Sequence, residues 1–206
     1  LDFSCKTLYV TSEGAKLDFP GFVNHSKEKL IRAQRKLSHM KRGSSNYHKQ
    51  RYSLARIHNK VTNQRKDWLH KQTKVISDNY DLVCLETLNF QEISSEYGKA
   101  IGDKGAGMFT RFLVYKMSER GKSAVFVDKY FPSSQLCSNC GTRNAKVKDL
   151  SVRSWECDSC VAFHDRDVNA ARNILAEGLR ILEKEGILIN VTNRGTHGGS
   201  SLRLTA

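Results

Sequence analysis

Two closely spaced cysteine pairs, Cys137-Ser-Asn-Cys140 and Cys157-Asp-Ser-Cys160, constrain this chain more than any other feature. Each C-x-x-C can turn both thiolates toward one ion, and the length between the pairs lets the two knuckles meet. The expected product is a tetrahedral four-thiolate zinc site with Zn–S distances near about 2.3 Å. Such a shell is closed and leaves no position for water, so the zinc is expected to be structural. Ions of this kind contribute on the order of 10 kcal/mol to a small module. Gly141 follows the first knuckle, where the chain must turn sharply. Residues 133–163 are therefore read as a zinc ribbon. The two other cysteines, Cys5 and Cys84, lie in apolar runs and read as small buried hydrophobes. With no basic-then-apolar signal segment at the start, this cysteine usage fits a reduced, cytoplasmic compartment.

The ribbon interrupts an alternation of strands and helices. Leu1–Val10 reads as a strand, Thr11–Gly14 as a tight turn, and Ala15–Phe19 as a second strand. A helical stripe (Leu30, Ala33, Leu37, Met40) follows from about Ser26, and Lys41–Asn46 breaks it. A longer helix then runs to about Ser77, with Leu54, Val61, Trp68 and Val75 seven apart. Leu82–Leu85, ending in Glu86, has the continuous apolar character of a strand covered on both faces. A loop is expected through Gly107, a helix over Met108–Arg120 and a buried strand over Ser123–Val127. A closing helix from about Asp167 to Glu183 follows the ribbon, with Val168, Ala171, Leu175, Leu179 and Leu182 on its apolar face. This order implies an α/β protein whose mixed sheet is flanked by helices, with an insertion before the last helix. Residues 1–132 and 164–190 form the main domain in this reading, and 191–206 a disordered tail. The chain opens without a methionine and already in a strand pattern, as a fragment trimmed at a domain edge would.

Charge locates a partner. The chain carries 34 Lys and Arg against 21 Asp and Glu, a net +13. All of that excess lies between Ser26 and Lys74, where Glu28 and Asp67 are the only acids. A basic excess concentrated in one helical hairpin (about 26–78) is the electrostatic footprint of a nucleic-acid partner. Arg32, Arg35, Lys36, Arg65 and Lys66 are the expected phosphate contacts. A solvated, merely soluble hairpin is the plainer alternative. No apolar stretch is long enough to cross a membrane, and aromatic residues are too scarce among these charges for an anionic membrane surface.

Three acids stand where a metal site could be built. Asp2 sits between Leu1 and Phe3, and strand alternation turns it away from both. Glu86 ends an apolar run, at the carboxyl end of a strand, where α/β sheets place ligands. In "HDRDVNAARNIL" two acids compete for roles at one helix start. Asp165 precedes the helix and suits an N-cap. Asp167 shares a face with Ala170, Ala171 and Ile174, small residues that permit close approach to a sheet. It is the candidate ligand. Each acid alone also has an ordinary reading, as a strand surfacing or a solvated charge.

The run "FPSSQLCSNCG…SWECDSC…HDRDVNAARNIL", with "LDFS" and "LETLN" upstream, resembles the TnpB (OrfB) proteins of insertion sequences and the related compact type V CRISPR effector nucleases. The resemblance extends from Leu1 to about Leu179. It implies a RuvC-like, RNase H-type fold with a zinc ribbon inserted before the last acid, and it assigns the catalytic acids to Asp2, Glu86 and Asp167. It further implies magnesium or manganese as catalytic ion, DNA as substrate and a guide RNA as partner, bound in that family by regions upstream of the first catalytic strand. Carboxylate oxygens hold hard divalent ions while leaving positions open, and two such ions about 4 Å apart serve phosphodiester hydrolysis. Two functions follow: a metal-dependent DNA endonuclease domain, or a non-catalytic zinc-ribbon module that binds nucleic acid or regulates transposition.

Overall fold

The computed structural model describes residues 1–4, 7–88, 104–192 and 201–205. Cys5 and most of the loop expected before Gly107 lie outside the described residues. The N-terminal segment is not one strand but two, β1 (Asp2–Phe3) and β2 (Tyr9–Val10), folded back on each other with Asp2 opposite Val10 and Phe3 opposite Tyr9. A distant side chain closes the turn between them. The buried ammonium of Lys104 donates to the carbonyls of Ser4 (3.3 Å) and Thr7 (2.8 Å). Local pattern cannot reveal a turn satisfied from 100 residues away. Strand β3 (Lys16–Leu17) pairs antiparallel with β2.

Strands β4 (Leu82–Glu86) and β5 (Ser123–Val127) pair in parallel, with Leu82 opposite Ser123 and Glu86 opposite Val127. The single mixed sheet of the sequence reading is thus divided into an antiparallel β1–β3 sheet and a parallel β4–β5 sheet. Two hydrogen bonds lay β1 along β4: Leu1 N to the Cys84 carbonyl (2.7 Å) and Phe3 N–H to Glu86 Oε1 (3.1 Å). Strand β4 is buried on both faces. Val83 and Leu85 join Leu8, Tyr9, Leu69, Phe109 and Leu113 in one core, while Leu82 and Cys84 join Val127, Ile174 and Leu182 in another. Alternation along a single strand therefore divides the molecule into layers. Cys84 is a buried small hydrophobe, as its setting predicts.

The basic hairpin consists of α1 (Phe22–Ser38) and α2 (Ser45–Asn79). Helix α1 begins earlier than its stripe suggests, directly after Gly21, whose left-handed φ of 67° turns the chain inward. Ser44 caps α2 by accepting from the Tyr47 N–H (3.2 Å). The buried positions of α2 are Val61, Leu69, Thr73 and Ser77, whereas Val75 is exposed. A strict seven-residue stripe drifts around a 3.6-residue helix, so the expected Val75 has rotated to solvent. The second half of α2 rests instead on α3 (Ala106–Glu119), through Leu69 and Phe109.

The closing helix α4 (Arg166–Lys184) buries Ala170, Ala171, Ile174, Gly178 and Leu182. Gly178 has a specific purpose, since a Cβ there would lie against Cys84 Sγ and 2.9 Å from Cys84 Cβ. Between β5 and α4 the ribbon folds on its own small core of Cys137, Val147, Trp155 and Cys157, with β6 (Ser154–Glu156) antiparallel to β7 (Phe163–Asp165). The expected disordered tail is corrected in part. Strands β8 (Leu188–Thr192) and β9 (Ser201–Thr205) pair antiparallel, consistent with the apolar–polar alternation of "LINVT" and "SLRLT".

Candidate functional site

One cleft gathers Asp2, Glu86 and Asp167 from β1, the end of β4 and the first turn of α4. Its volume is about 270 Å³. Three consecutive residues, the two of the first strand and the one after it, hold the arrangement. Asp2 contributes its own carboxyl, Phe3 N–H donates to Glu86 Oε1 (3.1 Å), and Ser4 Oγ donates to Asp167 Oδ2 (3.2 Å). Asp165 caps α4 as predicted, its Oδ1 accepting from the N–H groups of Asp167 (3.0 Å) and Val168 (3.1 Å). That division leaves the Asp167 carboxylate available to the cleft.

The cleft is electrostatically strained. Burial, followed by the charges of Glu86 and Asp167, holds the Asp2 carboxyl well above the usual carboxylate range. Burial also raises Glu86, against the stabilising Phe3 N–H. Arg166 offsets part of the repulsion at Asp2. A divalent cation would relieve the rest, so the donor set fits a hard, oxygen-liking ion. The ribbon supplies the facing wall, with Ser133, Ser134 and the exposed Arg153. Arg153 ends the basic ribbon loop Arg143–Arg153, which reads in sequence as an alternative nucleic-acid contact, but no local signature places it at the acid cleft.

The four ribbon thiols lie within 4.8 Å of one another, the set of potential metal ligands drawn this close among the described residues. Cys137 and Cys160, like Cys140 and Cys157, have sulfurs 3.6 Å apart. That is far above the roughly 2.05 Å of a disulfide. It is near the edge of about 3.8 Å that a tetrahedron with bonds of about 2.3 Å requires. The thiols therefore fit zinc. Each knuckle closes with an N–H to the carbonyl of its first cysteine, Gly141 to Cys137 (2.8 Å) and Val161 to Cys157 (2.9 Å). Both closing residues have positive φ, 77° at Gly141 and 58° at Val161. A β-branched residue in that conformation is unusual and shows how firmly the knuckle dictates its backbone. Buried His164, unremarked by sequence, places Nε2 3.1 Å from Cys137 Sγ and its ring beside Trp155.

Sequence reasoning also missed Asn169 and Asn173. Both are buried on α4, and both bond ribbon backbone: Asn169 Oδ1 accepts from Ser138 N–H (2.9 Å), and the two side-chain amides donate to the Leu136 carbonyl (2.7 Å each). Two asparagines four apart in a helix could have been noticed as a polar stripe beside the apolar face.

The five expected phosphate contacts do not form one patch. Arg32, Arg35 and Lys36 are exposed on the half of α1 nearer the hairpin tip, where Gln50 Nε2 donates to the Ala33 carbonyl (3.0 Å). Arg32 pairs there with Glu28 (3.1 Å). Arg65 and Lys66 stand about 20 Å further along α2, at 1.5 Å per residue. Arg65 is half-buried beside Gly105. Between the helices lies an open groove of about 590 Å³ whose charged lining is Lys29, Arg56 and Lys60, with His25 beside them and no carboxylate.

Comparison with known proteins places these features in context. Residues 1–95 match a family model described as "Probable transposase", of the OrfB type of IS605 elements, and residues 107–174 match the "Cas12f1-like, TNB domain" model. A Streptomyces pristinaespiralis protein named "Putative RNA-guided DNA endonuclease" is 40% identical over 182 residues, covering 87% of this chain and 44% of that protein. The InsQ protein of Escherichia coli K12, which bears the same description, is 32% identical over 199 residues, covering 88% and 49%. The chain thus spans about half the length of these relatives. Among solved structures, a Cas12f1–sgRNA–target DNA complex has a chain that superposes with a TM-score of 0.56 at 16% identity, over 84% of this chain and 47% of that one. That likeness is one of fold. No described helix is long and apolar enough to cross a membrane.

Proposed function

We propose that this chain, a relative of the TnpB (OrfB) proteins of insertion sequences, carries the RuvC-like, metal-dependent nuclease part of an RNA-guided DNA endonuclease. The observation that carries the reading is the convergence of Asp2, Glu86 and Asp167 on one cleft, with Asp2 buried and its charge disfavoured by its neighbours. Magnesium or manganese bound there would activate a water and stabilise the leaving oxygen of a phosphodiester. Asp2, Glu86 and Asp167 are the residues that would hold it. Phe3 N–H and Ser4 Oγ fix the carboxylates of Glu86 and Asp167, so that little reorganisation is needed when substrate arrives. Arg153, exposed on the opposite wall, is placed to contact a non-bridging phosphate oxygen. Cys137, Cys140, Cys157 and Cys160 hold structural zinc and take no part in the chemistry. The basic hairpin supplies backbone contacts to DNA or to a guide RNA, which require charge but no base reading.

A magnesium-dependent nicking assay on single-stranded DNA, comparing the chain with its Asp167→Ala variant, tests the assignment. The variant is expected to lose at least about 100-fold in rate, since a ligand is removed where even outer-sphere changes cost 10–100-fold. Equal rates would assign the cleavage to another site and leave a nucleic-acid-binding module.

A further inference from the structure

We infer that Asn169 and Asn173 are positioning residues that latch the zinc ribbon onto the catalytic helix, and that this latch sets the ribbon-side wall of the acid cleft. As far as it concerns cleavage, the inference rests on the nuclease reading above.

The two asparagines stand four apart and so share one face of α4, with Ala170, which lines the cleft, adjoining them. Asn173 Nδ2 donates to the carbonyls of Ser133 and Leu136, both at 2.7 Å. Asn169 Nδ2 donates to the same Leu136 carbonyl at 2.7 Å, and its Oδ1 accepts from the Ser138 N–H at 2.9 Å. The Leu136 carbonyl has two lone pairs, and both are used. Helix α4 therefore reads the backbone of residues 133–138 as a neighbouring strand would, by donors and an acceptor in fixed register. Ser133, whose carbonyl is held, lines the cleft with Ser134.

Arg166 secures the middle of the ribbon. Its Nη1 donates to the Asp149 carbonyl (3.0 Å) and its backbone N–H to the Arg153 carbonyl (2.9 Å). Both segments that furnish the facing wall are thus tied to the helix whose first turn carries Asp167. An apolar seam could bury the same surface, but burial is non-directional and leaves register free. Amide-to-backbone bonds fix it. Geometry within a cleft matters at this level, since a misplacement of about 1 Å can cost on the order of 100-fold in rate. Zinc shapes the ribbon internally, and the latch fixes where that shape stands.

Asn173→Asp keeps the size of the side chain but replaces two donors with an oxygen facing two carbonyls; Asn173→Ser shortens the reach without adding charge. Asn169→Asp keeps the acceptor for Ser138 N–H and loses the donor. Zinc content, amide hydrogen exchange over residues 133–138, DNA affinity and magnesium-dependent cleavage rate are measured for each. The Asn173 variants are expected to retain one zinc per chain and wild-type DNA affinity, to exchange at least about 10-fold faster over 133–138, and to lose about 10- to 100-fold in cleavage rate. Ser138 should stay protected in Asn169→Asp. A general folding role would lower zinc content and affinity together, and that outcome overturns the proposal. So does unchanged exchange in both Asn173 variants, or faster exchange with an unchanged rate. If the wild-type chain cleaves nothing, the nuclease reading fails, while hydrogen exchange still decides the latch.

Discussion

Asp2 bears the highest electrostatic cost in the cleft, because it is buried while Glu86 and Asp167 face the same space. Replacing it with the isosteric, neutral Asn removes the repulsion without opening a cavity. Asp2→Asn should therefore melt at a higher temperature than the wild-type chain when divalent ions are absent. The wild-type chain should gain stability as magnesium is added, by about 2.7 kcal/mol at a hundredfold excess over the dissociation constant, and the variant far less. Thermal melts with and without magnesium check this, and equal responses would exclude Asp2 as a ligand. In the sequence this acid stood out only through the family motif, since strand alternation by itself left a solvated charge as the ordinary reading. Ser4 did not stand out, because its bond to Asp167 spans 163 residues and leaves no trace in local pattern. The cap role of Asp165 was legible for a local reason, since cap geometry depends only on the residues that follow.

At the scale of elements, the packing of α4 on β4 rests on a missing side chain. A methyl group at Gly178 would collide with Cys84, whose strand is buried on both faces and cannot retreat. Gly178→Ala would improve helix propensity by roughly 1 kcal/mol. Overpacking costs typically about 1–3 kcal/mol, and with the backbone fixed on both sides it should win. Chemical denaturation should show net destabilisation, and Cys84→Ala in the same chain should recover part of it. A neutral or stabilising Gly178→Ala would mean that α4 can slide on the sheet. Elements with a strong local pattern, such as β4 and α4, were legible in sequence, whereas β5, expected as a buried strand, buries only Val127 and exposes Phe126. The β1–β2 fold-back was not legible, because Lys104 closes its turn. The buried face of α2 was misassigned at Val75, because its far half is oriented by α3 rather than by its own stripe.

Over the whole molecule, charge is segregated. The net +13 resides between Ser26 and Lys74, and the structure raises that segment into a helical hairpin while the rest of the chain, neutral in sum, forms the cleft and ribbon. A nucleic acid bound through phosphates should therefore be held by the hairpin and cut, if cut, elsewhere. The geometry distinguishes two candidate tracks. Lys29, Arg56 and Lys60 line the groove between the helices, whereas Arg32, Arg35 and Lys36 are exposed further along α1, toward the hairpin tip. Removing one phosphate-binding cation should flatten the dependence of log affinity on log salt by roughly 0.7 to 0.9. Changing Lys29, Arg56 and Lys60 together to Gln should then reduce the slope by about 2 to 3 if the groove is the track. Changing Arg32, Arg35 and Lys36 to Gln should reduce it less, since Arg32 is already partnered by Glu28. Salt titrations of DNA and RNA binding, with zinc content as the control for folding, decide between them. A larger effect from the α1 triple would move the track toward the hairpin tip. Unchanged slopes in both triples would make the hairpin a solvated surface and shift the search to Arg143–Arg153, on the ribbon beside the cleft.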